Sequence, residues 1–158
     1  MKLEVHMTAT QQPDPFGAPP APTGGPSGPR AGFWLRFAGA LIDGILLAIV
    51  TVPLQLALPP AVYYAIALPL GIAYYVYLEG GAKGQTVGKM AVGVRVYDLA
   101  KGGSIGYGRA FIRYVGRYAS AIVILLGYLW MLWDPEKQTW HDKMAGSVVV
   151  PTSAYPVA

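Results

Sequence analysis

Cysteine is absent and charge is scarce: Asp, Glu, Lys and Arg make up 13% of the 158 residues, about half their share in a soluble domain. The first absence excludes disulfides, thiolate metal sites and cysteine nucleophiles at once. The second excludes a globule covered by its own polar surface, because 54% of the residues are hydrophobic and the mean hydropathy is +0.40. Such a chain belongs in a bilayer. Residues 1–30 also lack the apolar core of about 7–15 residues that a secretory signal carries. No leader is therefore expected to be cleaved, Met7 serves as well as Met1 for a start, and the first span must itself direct insertion. No serine, histidine and acid arrangement suggests hydrolysis, and no carboxylate stands at metal spacing from His6 or His141, so neither an enzyme nor a metal or other cofactor is expected.

What the sequence does contain is long apolar runs. Residues 37–58 are broken only by Asp43 and Gln55, and residues 60–78 and 118–133 carry no charge. A spanning helix takes roughly 20 residues, which makes the fold class an all-α membrane protein of about three transmembrane helices, the third needing help from its flanks. Pro59 and Pro60 mark an uncharged turn between the first two. The segment from Glu79 to Arg117 is different: Lys83, Lys89, Arg95, Lys101, Arg109, Arg113 and Arg117 face only Glu79 and Asp98. That asymmetry places this loop and the N-terminus in the cytoplasm of a cell membrane.

Three regions follow. Residues 1–32, with prolines at 13, 15, 19, 20, 22, 26 and 29, bury too little to offset their ordering entropy and read as a disordered cytoplasmic tail, a solubilising leader or a polyproline docking ligand. Residues 33–151 form the transmembrane domain, and 152–158 a short C-terminal tail. Phe33, Trp34 and Phe37 beside Arg36, Tyr63 and Tyr64, and Tyr74, Tyr75 and Tyr77 sit where an aromatic belt is expected.

Within the basic loop, Met90 to Asp98 reads as a short strand and Val148 to Val150 as a second β-branched run. A helix is expected from Ser104, with Arg109, Arg113 and Arg117 in one stripe and Phe111, Tyr114, Val115 and Tyr118 facing away. That pattern predicts an interfacial helix whose arginines bind the anionic leaflet. Gly84-Gln85-Thr86-Val87-Gly88-Lys89-Met90 is not a phosphate-binding loop, because Lys83 stands where the first glycine belongs and Met90 replaces the magnesium-holding hydroxyl. A glycine-rich turn beside the membrane is the better account.

Asp43 is the one acid that cannot be surface, since a charge at the centre of a spanning helix costs about 2.5–3.5 kcal/mol. Arg36 lies seven residues earlier on nearly the same face, about 10 Å away along the axis. Either a structural polar cluster or an ion-handling carboxylate accounts for the pair.

Arg36-Phe37 with Ala40, Ile42 and Asp43, then Gly84 to Lys89 with the valine-rich Arg95 segment, then Trp140-His141-Asp142 with Ala145-Gly146 and Val148 to Val150, resembles the RDD family of small bacterial membrane proteins over roughly 32–151. By position the arginine and two aspartates of that family are Arg36, Asp43 and Asp142. The resemblance implies a multi-spanning membrane module in which transport, not catalysis, is suspected, and it adds Asp142 to the expected polar centre.

Two topologies compete. Three spans with the N-terminus inside put Asp134 to Ala158 opposite the basic loop, and this is the favoured expectation because a 16-residue run is too short for two crossings. A turn near Gly127 would instead bring Asp142 to Arg36 and pair the two β-branched runs. The leading functional expectation is an oligomer that moves a small ion or solute, with Gly39, Ala40, Gly44 and Ala48 allowing close helix approach. The other is a non-transporting adaptor that binds anionic lipid or a protein. Expected partners are the bilayer, anionic lipid and further copies of the chain, and not nucleic acid.

Overall fold

The computed structural model describes residues 28–122 and 126–157. The expected disordered tail lies outside the described residues except for 28–32. Two long helices come first, α1 (Phe33–Ala57) and α2 (Pro60–Gly80). At 1.5 Å per residue both exceed the hydrocarbon thickness of about 30 Å, and both are apolar enough to cross, with mean hydropathies of 2.2 and 1.5. The turn between them is set by proline: Leu58, restricted by the ring that follows it, is extended at φ −117 and ψ 148, and Pro60 opens α2 where its missing N–H costs nothing. Leu41, Ile45 and Ile49 of α1 and Val62 and Ile66 of α2 are exposed, which is the correct state for side chains that meet lipid.

After α2 the chain builds a small domain at one end of this hairpin. It holds α3 (Val87–Ala91), β1 (Val94–Asp98), α4 (Gly106–Ile122), α5 (Leu126–Leu129), a 3-10 turn (Trp130–Leu132), α6 (Trp140–Met144) and β2 (Ser147–Pro151). The strand expected over Met90 to Asp98 starts only at Val94. Thr86 caps a helical turn through the Lys89 N–H, and Gly93, at φ +68, ends it in a conformation that favours glycine.

The third expected run is bent: two described helices are long and apolar enough to cross a membrane, or three if the bent pair counts as one span. Gly106–Ala121 and Leu126–Leu132 are bent by 114°, and a Cβ on Gly127 would lie 2.6 Å from Ser120 Cα, so α5 folds closely onto α4. The bend returns the chain to its starting end. There β2 pairs antiparallel with β1, from Val94 opposite Pro151 to Asp98 opposite Ser147, while the Ala31 N–H donates to Val149 O at 2.9 Å on the other edge of β2. The C-terminal segment is thus beside the basic loop and not across the membrane from it. Val94, Val96, Val148, Val149 and Val150 are buried and form the apolar centre of this domain.

Candidate functional site

Polar side chains gather where α1 begins and α2 ends. Asp43 is fully buried, and its carboxylate accepts from Tyr74 Oη at 2.6 Å, Thr86 Oγ1 at 2.6 Å and the Gly88 N–H at 2.7 Å. The Thr86 hydroxyl works twice, donating to Asp43 while its oxygen accepts from the Lys89 N–H to cap α3. Gly88 is required by proximity: a Cβ there would lie 2.0 Å from Gly39 O and 2.8 Å from Asp43 Cγ. The glycine-rich turn is therefore a docking device for α1. It occupies Gly39, which was expected to serve contacts between copies, whereas Gly44 has open space around it.

Among the described residues, no ion pair joins Arg36 to Asp43. Arg36 instead pairs with Asp142 and donates to Lys137 O at 2.7 Å. Asp142 is fully buried at the start of α6, where it forms a capping box with Thr139. Arg113 is the hub: Nε donates to Glu79 Oε2 at 3.0 Å, and Nη1 meets Asp142 and Ser147 Oγ, the latter at 2.7 Å. Glu79 Oε1 also takes Lys89 Nζ at 2.7 Å and Arg117. One continuous network thus joins Lys89, Arg117, Glu79, Arg113, Asp142 and Arg36. Burial of such charges is tolerable only because each carboxylate meets several donors.

The arginine stripe is real but faces the other way. Arg113 is 2% exposed and Arg117 is held by Glu79 and covered by the Tyr75 ring at 4.0 Å. Arg109 is held by Asp98, which also accepts from the Ala100 and Lys101 N–H groups. Phe111, Ile112, Val115 and Tyr118 are the exposed face of α4, while Tyr114 is buried against α2. An expected leaflet-binding stripe is therefore an internal one, because in a chain surrounded by lipid the charged side of a helix is the side to bury. Two expected belt residues are likewise drawn into the site, Tyr74 onto Asp43 and Tyr75 onto Arg117.

A cavity of about 400 Å³ lies against this network. Phe33, Phe37, Ala40, Leu129 and Met131 make its apolar wall, and Arg36, Lys89, Arg113 and Arg117 its cationic one, with Asp43, Tyr75, Tyr128, Thr139 and His141 completing it. Burial pulls the Lys89 ammonium down to about 8 against the opposing pull of Glu79. Burial, then the charges of Arg113, Arg117, Arg36 and Lys89, hold His141 well below its usual value, so the ring is neutral. Its Nδ1 lies 3.2 Å from Ser120 Oγ and its Nε2 2.9 Å from Thr139 Oγ1. Glu79 and Lys89 were not expected here. Their signal in the sequence was that Glu79, one of two acids among seven cations, closes the second apolar run.

The sequence profile of the RDD family matches residues 30–146. The chain is 30% identical over 139 residues to the uncharacterized membrane protein YteJ of Bacillus subtilis, covering 79% of this chain and 83% of that one. It is 34% identical over 84 residues to the proline-rich antigen homolog of Mycobacterium tuberculosis, and 33% over 85 residues to the proline-rich antigen of Mycobacterium leprae, covering 51% and 52% of this chain. Only 35% and 34% of those two proteins' own length is covered. No solved structure matches significantly.

Proposed function

The chain belongs to the RDD family, and we propose that this membrane protein is a carrier, not an enzyme, that moves a small charged solute across the cell membrane. The single observation behind this reading is the cavity walled by Arg36, Lys89, Arg113 and Arg117 at the end of a membrane-spanning hairpin. Ionisable groups at membrane depth are costly and mark solute or ion paths. In this reading Arg36 and Asp142 belong to the polar centre, Asp43 positions the turn that carries Lys89, and the Glu79–Arg113–Asp142 bridge holds the cations in place. The cavity occupies one end of the hairpin, so complete passage calls for a second copy of the chain. The excess of Lys and Arg in residues 79–117 orients this end toward the cytoplasm.

The test is flux through liposomes that contain the purified protein, measured for protons, sodium and phosphate under imposed gradients. Wild type should support flux of at least one of these, and Arg113→Gln should abolish it in protein that still elutes as a folded species. Folded wild-type protein that moves none of them would defeat the carrier reading in favour of an adaptor whose cavity holds a membrane lipid.

A further inference from the structure

We propose that the cavity beside Arg117, Arg113 and Lys89 binds an oxyanion, a phosphate or carboxylate group, whose non-polar remainder lies along Phe33, Phe37 and Leu129. This deepens the carrier reading and rests on it only for the location of the site.

The first argument is charge. Four cations, Arg36, Lys89, Arg113 and Arg117, line the space, and the carboxylates paired with them are Glu79 and Asp142. Two formal positive charges are left over. Asp43 lines the same space, but its oxygens are already taken by Tyr74, Thr86 and Gly88. Counting it in full still leaves one. The other groups that face the network are two phenols, Tyr75 and Tyr128, which are neutral at pH 7, and His141, whose ring is kept neutral by burial. A buried surplus of charge costs several kcal/mol per ion, and a bound anion would remove that cost.

The second argument is donors. A guanidinium carries five N–H donors and an ammonium three. Arg117 uses Nη2 on Glu79, and its Nε and Nη1 meet no acceptor among the described residues. Arg113 Nη2 is in the same position, and Lys89 Nζ has one acceptor, Glu79. None of these nitrogens is sealed off, since the only fully buried and unpartnered side-chain nitrogen or oxygen among the described residues is Arg95 Nε. Each unpartnered one keeps some accessible surface, and Lys89, Arg113 and Arg117 all line the cavity. Planar forks that present several N–H groups suit the oxygens of a phosphate or carboxylate.

The third argument is shape. The 400 Å³ volume is that of about thirteen waters at roughly 30 Å³ each, more than an inorganic oxyanion fills. The apolar wall of Phe33, Phe37, Leu129 and Met131 fits a ligand with an apolar part. An anionic lipid headgroup and a free organic oxyanion share this chemistry.

The experiment is thermal unfolding of the full chain in neutral detergent, titrated with inorganic phosphate, with phosphatidylglycerol, and with sodium chloride at matched ionic strength. The expected result is a saturable rise in Tm with phosphate, with phosphatidylglycerol, or with both, and none with chloride. Phosphate activity points to a free solute, and phosphatidylglycerol alone to a lipid headgroup. Arg117→Gln should weaken the apparent affinity at least tenfold. Should that variant not fold, Ala40→Leu decides, because it adds bulk at the apolar wall of the cavity and is no member of the ion pairs, and it should weaken whichever arm is saturable to a similar degree. A Tm that follows ionic strength alone, or an affinity unchanged in the folded variants, overturns the proposal. Saturable binding without liposome flux would leave the oxyanion site standing and sink the carrier reading, and flux without saturable anion binding would do the reverse.

Discussion

Thr86→Val is the sharpest probe of how α1 holds the rest of the chain. The replacement keeps the shape of the side chain and removes one hydroxyl, which donates to Asp43 at 2.6 Å and accepts from the Lys89 N–H at 3.3 Å. Loss of an N-cap costs about 1 kcal/mol, and loss of a hydrogen bond to a charged group about 1.5–3 kcal/mol. Together these come to about 2.5–4 kcal/mol, or a fall in Tm of about 5–16 °C for a chain of this size. Thr86→Ser retains both bonds and should stay within about 1 kcal/mol of wild type. Tryptophan fluorescence during heating in detergent would measure all three proteins, since Trp34, Trp130, Trp133 and Trp140 sample both parts of the fold. In an Asp43→Asn background the same Thr86→Val change should cost little more than the cap, because residues in one network are not additive. Equal melting of Thr86→Val and wild type, or strict additivity with Asp43→Asn, would refute the clamp.

Three further outcomes are expected. Gly88→Ala puts a carbon 2.0 Å from Gly39 O and should sharply reduce the folded yield on size-exclusion chromatography, whereas a normal yield would mean that α3 does not cross α1 there. His141 stays neutral when folded because its pKa is depressed, so below about pH 6.5 the unfolded chain takes up a proton that the folded chain refuses. Stability should fall with acidification by about 1.4 kcal/mol per pH unit from this group, and His141→Gln should flatten that slope in denaturation curves taken at several pH values. With no native cysteine to interfere, Lys101→Cys and Lys143→Cys should label from the same side of the membrane, and both should resist an impermeant reagent added outside intact cells. Labelling from opposite sides would contradict the pairing of β1 with β2.

The first two spans could be read directly, because length and apolarity are all that a bilayer demands of a helix. The β-branched runs around Val94 and Val148 were also readable, and so was Asp43 as a misplaced acid with Arg36 on its face, whereas Asp142 entered only through the family resemblance. What could not be read was which way a periodic pattern faces. The spacing of Arg109, Arg113 and Arg117 defines a helix face in any solvent, but whether that face is buried depends on whether lipid or water surrounds the helix. The turn near Gly127 was weighed but not favoured for a related reason: a short apolar run is compatible with a crossing and with a return, and only the pairing of β1 with β2, far apart in sequence, places the C-terminal segment beside the basic loop. Asp43 and Arg36 share a face and were expected to share partners, yet each is answered by a different distant segment.

Those distant answers bear on how the chain is made. Asp43 waits for Gly88, 45 residues later, and Arg36 for Asp142, 106 residues later. While α1 passes from the ribosome into the membrane, neither partner has been synthesised. The helix must hold its place by its apolar side chains alone, thirteen Leu, Ile, Phe and Val, each favouring insertion by about 0.3–0.6 kcal/mol against about 2.5–3.5 for a central aspartate. The margin is a few kcal/mol. Its oily surface is thus a kinetic provision, and a substitution of Leu46 or Leu47 by a polar residue would act before the polar network exists, by letting the first helix slip back out during synthesis.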